Sequence, residues 1–231
     1  MHYTLIKAVS AAIACLLLCS CGSGSAKIKT SCKEYETDIS SAHIELIHFS
    51  GLKDSAFEDL INKTIAQDVD GAAVSFDTMA SDSTDKIRMG NKCVLEINQL
   101  VKNNSDDFIS IIEEHYVYTG GAHGSTLWYP RNIDTLGGRI IKLSDLFKDD
   151  SYKTELNRLI DVILENKKDE YSDLWEHPSI HSEDNFYIED NKLVIFYQPY
   201  ELSYYARGFV EFPIKLADIE GYLKDEYKHL I

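Results

Sequence analysis

The sequence predicts an α+β fold: an antiparallel sheet with packed helices, arranged as two sub-lobes in one compact unit. Three observations lead there. Residues 54–69 and 151–168 repeat apolar side chains with helical period, while most other ordered-looking stretches alternate apolar and polar residues or form short apolar runs. The strand-like stretches follow one another through turn residues, so the helices pack on an antiparallel sheet. With 231 residues, 44% of them hydrophobic, one large core or two small lobes can form without metal or many disulfides.

The first element is not part of that fold. Residues 1–20 carry a single charge, Lys7, and an apolar run from Ala8 to Leu18 too short to span a bilayer, ending in Leu18-Cys19-Ser20-Cys21-Gly22. This reads as a lipoprotein signal peptide whose cleavage leaves Cys21 as an acylated N-terminus. The alternatives are an ordinary signal cut nearby, or a buried helix. Two or three acyl chains on Cys21 hold a protein stably on a membrane, whereas one chain gives only marginal attachment. The expected location is the cell envelope, facing the periplasm or the exterior. Residues 21–30, with Gly22-Ser23-Gly24-Ser25, read as a flexible tether.

An N-terminal lobe is expected over residues 31–135. Tyr35, Thr37 and Ile39, then Ile44, Leu46 and Phe49, suggest one or two strands. Phe57, Leu60, Ile61, Ile65 and Val69 make a helical stripe, with Ser55 and Glu58 fitting a capping box. The Ser-, Asp- and Thr-rich segment from Ser75 to Lys86 reads as a loop or helix end. Strands resume at Cys93, Leu95 and Ile97 and at Phe108 to Tyr118, with turn chemistry at Asn103–Asp107 between them. A further strand covers about Thr126 to Asp134.

The C-terminal lobe, 136–231, begins with Gly137-Gly138 turning the chain into a short strand, Arg139 to Leu143. Leu156, Leu159, Ile160, Ile163 and Leu164 define the second helix. Phe186–Ile188 and Leu193–Tyr197 form a hairpin around Asp190-Asn191. Phe209–Ile214 is a last strand, and Leu216, Ile219, Tyr222, Leu223 and Tyr227 predict a C-terminal helix.

The formal net charge of −15 excludes nucleic acid as a partner and suits cationic proteins or peptides, or simple solubility. Of five cysteines, Cys15 and Cys19 leave with the signal and Cys21 takes lipid. Cys32 and Cys93 then form a possible disulfide, closing a loop of about sixty residues and worth about 3–4 kcal/mol if unstrained. Neither has metal or redox spacing.

Two segments stand out chemically. Tyr118-Thr119-Gly120-Gly121-Ala122-His123-Gly124 places glycines where the backbone takes positive φ or approaches another group. His123 reads as bonded to backbone in a tight β-connection, with a catalytic or ligand role as the alternative. The loop Gln198-Pro199-Tyr200-Glu201-Leu202-Ser203-Tyr204-Tyr205 is unusually aromatic, offering contact area at low entropic cost, and Arg207 adds a fork of donors. These tyrosines either bind a partner or cover the sheet end.

The first of these segments, with Asn132-Ile133-Asp134, Ile141-Lys142-Leu143-Ser144-Asp145-Leu146-Phe147, and Phe196-Tyr197-Gln198-Pro199-Tyr200-Glu201 through Tyr205-Ala206-Arg207-Gly208 to Phe212-Pro213-Ile214, resembles a known family. It is the family of extracytoplasmic domains of unknown function that includes the sensor domain of the lysozyme-responsive anti-sigma factor and the non-catalytic domain of a peptidoglycan deacetylase. The resemblance implies an α+β domain outside the membrane that binds rather than catalyses. The anti-sigma factor's spanning helix and the deacetylase's catalytic domain have no counterpart in the residues read here.

The expectation is therefore a lipid-anchored binding or sensor domain, without catalytic residues, cofactor or metal. It engages a lysozyme-like cationic protein or a cell-wall glycan through Gly120, Gly121, His123, Gly124, Pro199, Tyr200, Tyr204 and Arg207. The alternative is a zinc-dependent envelope hydrolase or deacetylase. Asp77, His177 and His181 faintly resemble a polysaccharide deacetylase ligand set, although Thr78 stands where a second aspartate is needed and no repeated βα units are present.

Overall fold

A computed structural model describes residues 26–83, 92–180 and 185–231. The signal peptide, Cys21, most of the tether, the end of the Ser75–Lys86 segment and His181 lie outside the described residues. The chain forms two compact units, one built from residues up to Leu100 and Glu113–Trp128, the other from Val101–Ile112 and Tyr129–Ile231. The division therefore differs from the expected single cut after residue 135, because three long strands each contribute residues to both units.

In the first unit, β1 (Lys27–Glu36) and β2 (Ser40–Ser50) form an antiparallel hairpin in register from Lys27↔Ser50 to Glu36↔Ser41. Residues 27–30, expected in the tether, are already strand. After α1 (Ser55–Asp82) the chain returns as β3 (Cys93–Asn104), which pairs parallel to β2 from Ser40↔Cys93 to Ile44↔Ile97. This parallel pair departs from the antiparallel expectation: α1 is a crossover, which lets the next strand enter in the same direction. The fold class stays α+β.

Helix α1 buries Phe57, Ile61, Ile65, Val69, Ala73, Phe76 and Ala80 on one stripe and packs on β2. It runs well past the expected residue 69. Ser75, Thr78 and Ser81 hydroxyls donate to the carbonyls of Gly71, Val74 and Asp77 four residues back, so they stay within the helix rather than breaking it. The cap also differs from expectation. Asp54, not Ser55, accepts from the N–H groups of Ala56 and Phe57, and Glu58 accepts from Leu52 N at 2.8 Å. Asn62 clasps the Phe49 backbone, accepting its N–H at 2.8 Å and donating to its carbonyl at 2.9 Å.

The strands β4 (Phe108–Tyr118) and β5 (Ser125–Asp134) continue the sheet, in the order β1-β2-β3-β4-β5-β6 with β6 at Arg139–Ile141. The three-residue connection between β3 and β4 closes a hairpin, with the Ser105 hydroxyl and the Asn103 amide both donating to Phe108 O.

In the second unit a three-stranded antiparallel sheet, β7 (Phe186–Glu189), β8 (Lys192–Tyr197) and β9 (Val210–Lys215), turns at Asp190-Asn191. Both turn residues have positive φ, 49° and 57°, as the tight hairpin turn requires. Helix α2 (Ser151–Asn166) packs on β9, burying Tyr152, Leu156 and Ile160. The core joins these to Phe108, Leu143, Leu146, Phe212, Leu216 and Tyr227. Buried Asn132 and Ser110 hydrogen-bond to each other; Asn132 donates to Phe186 O at 2.7 Å and Ser110 Oγ accepts from Ile188 N at 2.9 Å. They satisfy backbone groups of β7 that would otherwise be buried without partners. In place of the expected C-terminal helix the chain makes two 3₁₀ segments, Leu216–Ile219 and Asp225–Leu230. The spacing 216, 219, 222 is the three-residue period of that tighter helix.

Candidate functional site

The second unit carries an aromatic surface on two loop segments. Trp175, Tyr200 and Tyr204 are 53%, 57% and 50% exposed, which large aromatics in a folded domain seldom are. The segments are tied together. Trp175 N donates to Leu202 O at 3.0 Å, and the Ser203 hydroxyl donates to Asp173 O at 3.0 Å. Arg207 Nη1 donates to Asp173 Oδ1 and to Glu170 O, both at 2.6 Å, and its guanidinium lies 5.4 Å from the Tyr171 ring centre. Arg207 thus holds the loop in place instead of presenting that nitrogen to a partner. Tyr171 in turn donates to Glu211 O at 2.8 Å, and burial raises its phenol pKa.

Tyr200 adopts φ +73°, a left-handed conformation that costs a bulky side chain about 1–2 kcal/mol. Its ring packs 5.6 Å from that of Tyr205. Non-glycine residues in this conformation cluster at active sites and ligand clamps. Beside this surface, Leu164, Lys168, Tyr171, Leu174, Trp175 and His177 line an open groove of about 340 Å³. His177 is engaged with Asp161 Oδ1 and Pro178 O, both at 2.9 Å.

The glycine-rich connection belongs to the first unit. Gly120 has φ +86°, Tyr118 OH donates to Gly121 O at 3.0 Å, and His123 Nδ1 donates to Gly124 O at 2.7 Å. Gly124 lies directly under the Tyr116 ring, with no space for a Cβ. This connection is closed upon itself through its own backbone and neighbouring tyrosines. Pro199, at the start of the aromatic loop, follows strand β8 and leads into strained Tyr200.

The sequence reading missed two groups. One is Trp175, whose signal was an aromatic in the charged run Asp173-Leu174-Trp175-Glu176. The other is a polar cluster on the first unit. In-register pairs Cys32↔Glu45 and Glu34↔His43 share the face of the β1–β2 hairpin opposite α1, since Lys33 and Tyr35 reach Asp70 and Asp77 of that helix. The Tyr35 phenol pKa is raised, chiefly by burial and then by its bond to Asp77. Cys32, His43 and Glu45 bring their donor atoms within 4.8 Å of one another. Glu45 Oε2 accepts from Gln99 N at 3.0 Å; Gln99 Nε2 donates to Glu113, itself 2.7 Å from His115 Nε2.

Cys32 and Cys93 are not joined in a disulfide. Cys32 faces Glu45, whereas Cys93 pairs with Ser40 on the far side of β2. Two strand spacings plus five residues along β2 exceed the reach of an S–S bridge, which needs Cα atoms within about 7 Å. Asp77 of the nominal deacetylase set accepts the Tyr35 hydroxyl at 2.9 Å within the first unit, and His177 belongs to the second. Among the described residues no helix is long and apolar enough to cross a membrane.

Residues 144–217 match the family model for a protein of unknown function, DUF3298, and residues 33–126 match the model for the deacetylase PdaC. Among characterised proteins, the chain is similar to the peptidoglycan-N-acetylmuramic acid deacetylase PdaC of Bacillus subtilis. They are 24% identical over 139 residues, 58% of this chain and 30% of that relative, so the chain matches under a third of the relative's length. A DUF3298-family crystal structure from Bacteroides fragilis superposes with a TM-score of 0.70 at 18% identity, covering 88% of this chain and 95% of that one. One from Pseudomonas aeruginosa superposes at 0.61 and 15% identity, covering 87% and 95%. These two likenesses show a shared fold.

Proposed function

This chain belongs to the DUF3298 family, in the form that shares its segments with the PdaC deacetylase, and on that premise we propose that it is a non-catalytic binding domain of the cell envelope whose aromatic surface holds peptidoglycan glycan strands. The observation that carries the reading is the exposure of Trp175, Tyr200 and Tyr204 on segments fastened by Arg207 and Asp173. Rigid aromatic faces offer large contact area to the apolar faces of sugar rings at little entropic cost, while the surrounding polar groups serve sugar hydroxyls. The relative acts on peptidoglycan, and this chain matches only part of it. A supporting domain that keeps a protein on its polymer fits that relationship.

In the same reading Cys21 carries the lipid anchor, the tether ends before buried Ala26 instead of at residue 30, and the domain works at the envelope. The net charge of −15 favours a second class of partner, a lysozyme-like cationic protein. Binding to purified peptidoglycan and to lysozyme, each at low and high salt, separates the two. Glycan stacking persists at high salt, whereas charge-driven binding is screened away. Loss of peptidoglycan binding at every salt concentration contradicts the glycan reading. A zinc-dependent deacetylase activity, the competing reading, predicts metal-dependent release of acetate from the same polymer.

A further inference from the structure

We propose that the face of the β1–β2 hairpin turned away from α1 is a divalent transition-metal site of the zinc class, with Cys32, His43 and Glu45 as ligands. Their donor atoms lie within 4.8 Å of one another; tetrahedral ligands at about 2.0–2.3 Å from an ion stand about 3.3–3.8 Å apart, so side-chain rotations of about an ångström bring the three onto one ion. The antiparallel register brings them together: Cys32 stands opposite Glu45, and His43 is two residues along the same face.

The support around the ligands is also in place. Glu34 Oε1 is 2.9 Å from His43 Nδ1, so Nδ1 carries the carboxylate contact and Nε2 is the nitrogen assigned to the ion. A carboxylate behind a ligating imidazole fixes its tautomer and orientation and raises its basicity. Gln99 N donates to Glu45 Oε2 at 3.0 Å, so one carboxylate oxygen is anchored and the other is available. Thiolate, imidazole and carboxylate together form a donor set for zinc and its neighbours, not for calcium or magnesium, which take oxygen ligands. On binding, the Cys32 thiol proton passes to solvent as the thiolate takes the ion. Three protein ligands leave a fourth position for water or an added ligand, and partial exposure of the side chains gives an ion access from solvent. The acidic surface raises the local concentration of cations.

This site lies on the first unit and is independent of the aromatic surface. The test uses the full chain, reduced and stripped with chelator, titrated with cobalt(II) and then with zinc. The wild type is expected to show thiolate-to-cobalt charge-transfer absorption that zinc abolishes. Cys32→Ser removes the share of that absorption due to this site; comparison with the wild type cancels any contribution from the other cysteines. His43→Ala and Glu45→Gln each weaken zinc binding at least tenfold. Glu34→Gln weakens it about tenfold while the charge-transfer band is kept. Cys32→Ser and His43→Ala proteins that match the wild type in band intensity and zinc stoichiometry overturn the site. If a ligand variant fails to fold, the exposed Glu34→Gln substitution keeps the test decisive, because unchanged zinc affinity there contradicts the site as described.

Discussion

The Tyr116 ring covers the α-carbon of Gly124 so closely that a Cβ at position 124 would overlap the ring edge and its hydroxyl. The overlap involves the Cε2, Cζ and hydroxyl of a ring carried on β4, which has to turn away to admit a methyl group. Gly124→Ala is expected to lower stability by about 1–3 kcal/mol, the usual cost of overpacking. Gly121→Ala, whose Cβ would find nothing nearer than His123 O at 3.8 Å, is expected to stay within about 0.5 kcal/mol of wild type. Urea denaturation of both variants checks the contrast.

Asp54 caps α1, and its carboxylate serves two N–H groups that water would otherwise have to satisfy. Asp54→Ala is expected to cost about 1 kcal/mol, whereas Ser55→Ala, which removes no capping bond, is expected to be near neutral. Thermal unfolding of the pair reads the difference directly.

Asn132 connects Ser110 to the Phe186 carbonyl inside the second unit, and all three residues are buried. Asn132→Ala leaves that carbonyl and the Ser110 hydroxyl each short of a partner. The expected loss is about 2–4 kcal/mol, from unmet polar groups plus the lost side chain. Hydrogen exchange of the Ile188 amide, which donates to Ser110 Oγ, is expected to accelerate in the variant.

Alkaline pH is expected to destabilise the fold through its buried phenols. The Tyr227 hydroxyl donates to Asp134 Oδ2 and accepts from Arg139 Nη2, and burial followed by the Asp134 charge pushes its pKa from 10 up to about 12. Burial and a bond to Glu211 likewise raise the Tyr187 phenol pKa. A group whose folded pKa is raised contributes stability that is complete below its unfolded pKa and is lost as pH rises through the folded one. The melting temperature should therefore fall between about pH 10 and pH 12. Tyr227→Phe should make that fall shallower. A pH slope identical to wild type would contradict the assignment.

Much of the second unit was legible in the sequence because its signals are local. The α2 stripe and the Asp190-Asn191 turn need only neighbouring residues to read, and both stand where expected. The family motifs also gained physical roles: Asn132 satisfies buried backbone, and Asp134 accepts from Gly137 N and Tyr227 OH. The parallel β2/β3 pair was not legible, since alternation is the same whichever direction a strand runs. The last turns of α1 were hidden by Ser and Thr, whose turn preference is overridden here by back-bonding and by buried Phe76 and Ala80. Cys32, His43 and Glu45 were invisible as a group because only hairpin register makes them neighbours. Trp175 and Leu202 are likewise joined only by the fold.

The central claim is that the exposed aromatic surface holds peptidoglycan, and co-sedimentation of the purified protein with sacculi at high salt tests it most directly. Tyr200→Gly is the most informative variant, because its φ of +73° suits glycine and the substitution is expected to leave stability at or above wild type. The account predicts that Tyr200→Gly and Trp175→Ala each lower the bound fraction, corresponding to at least tenfold weaker affinity, with melting temperatures preserved. Wild-type binding in both variants, or no binding by the wild type itself, would contradict it.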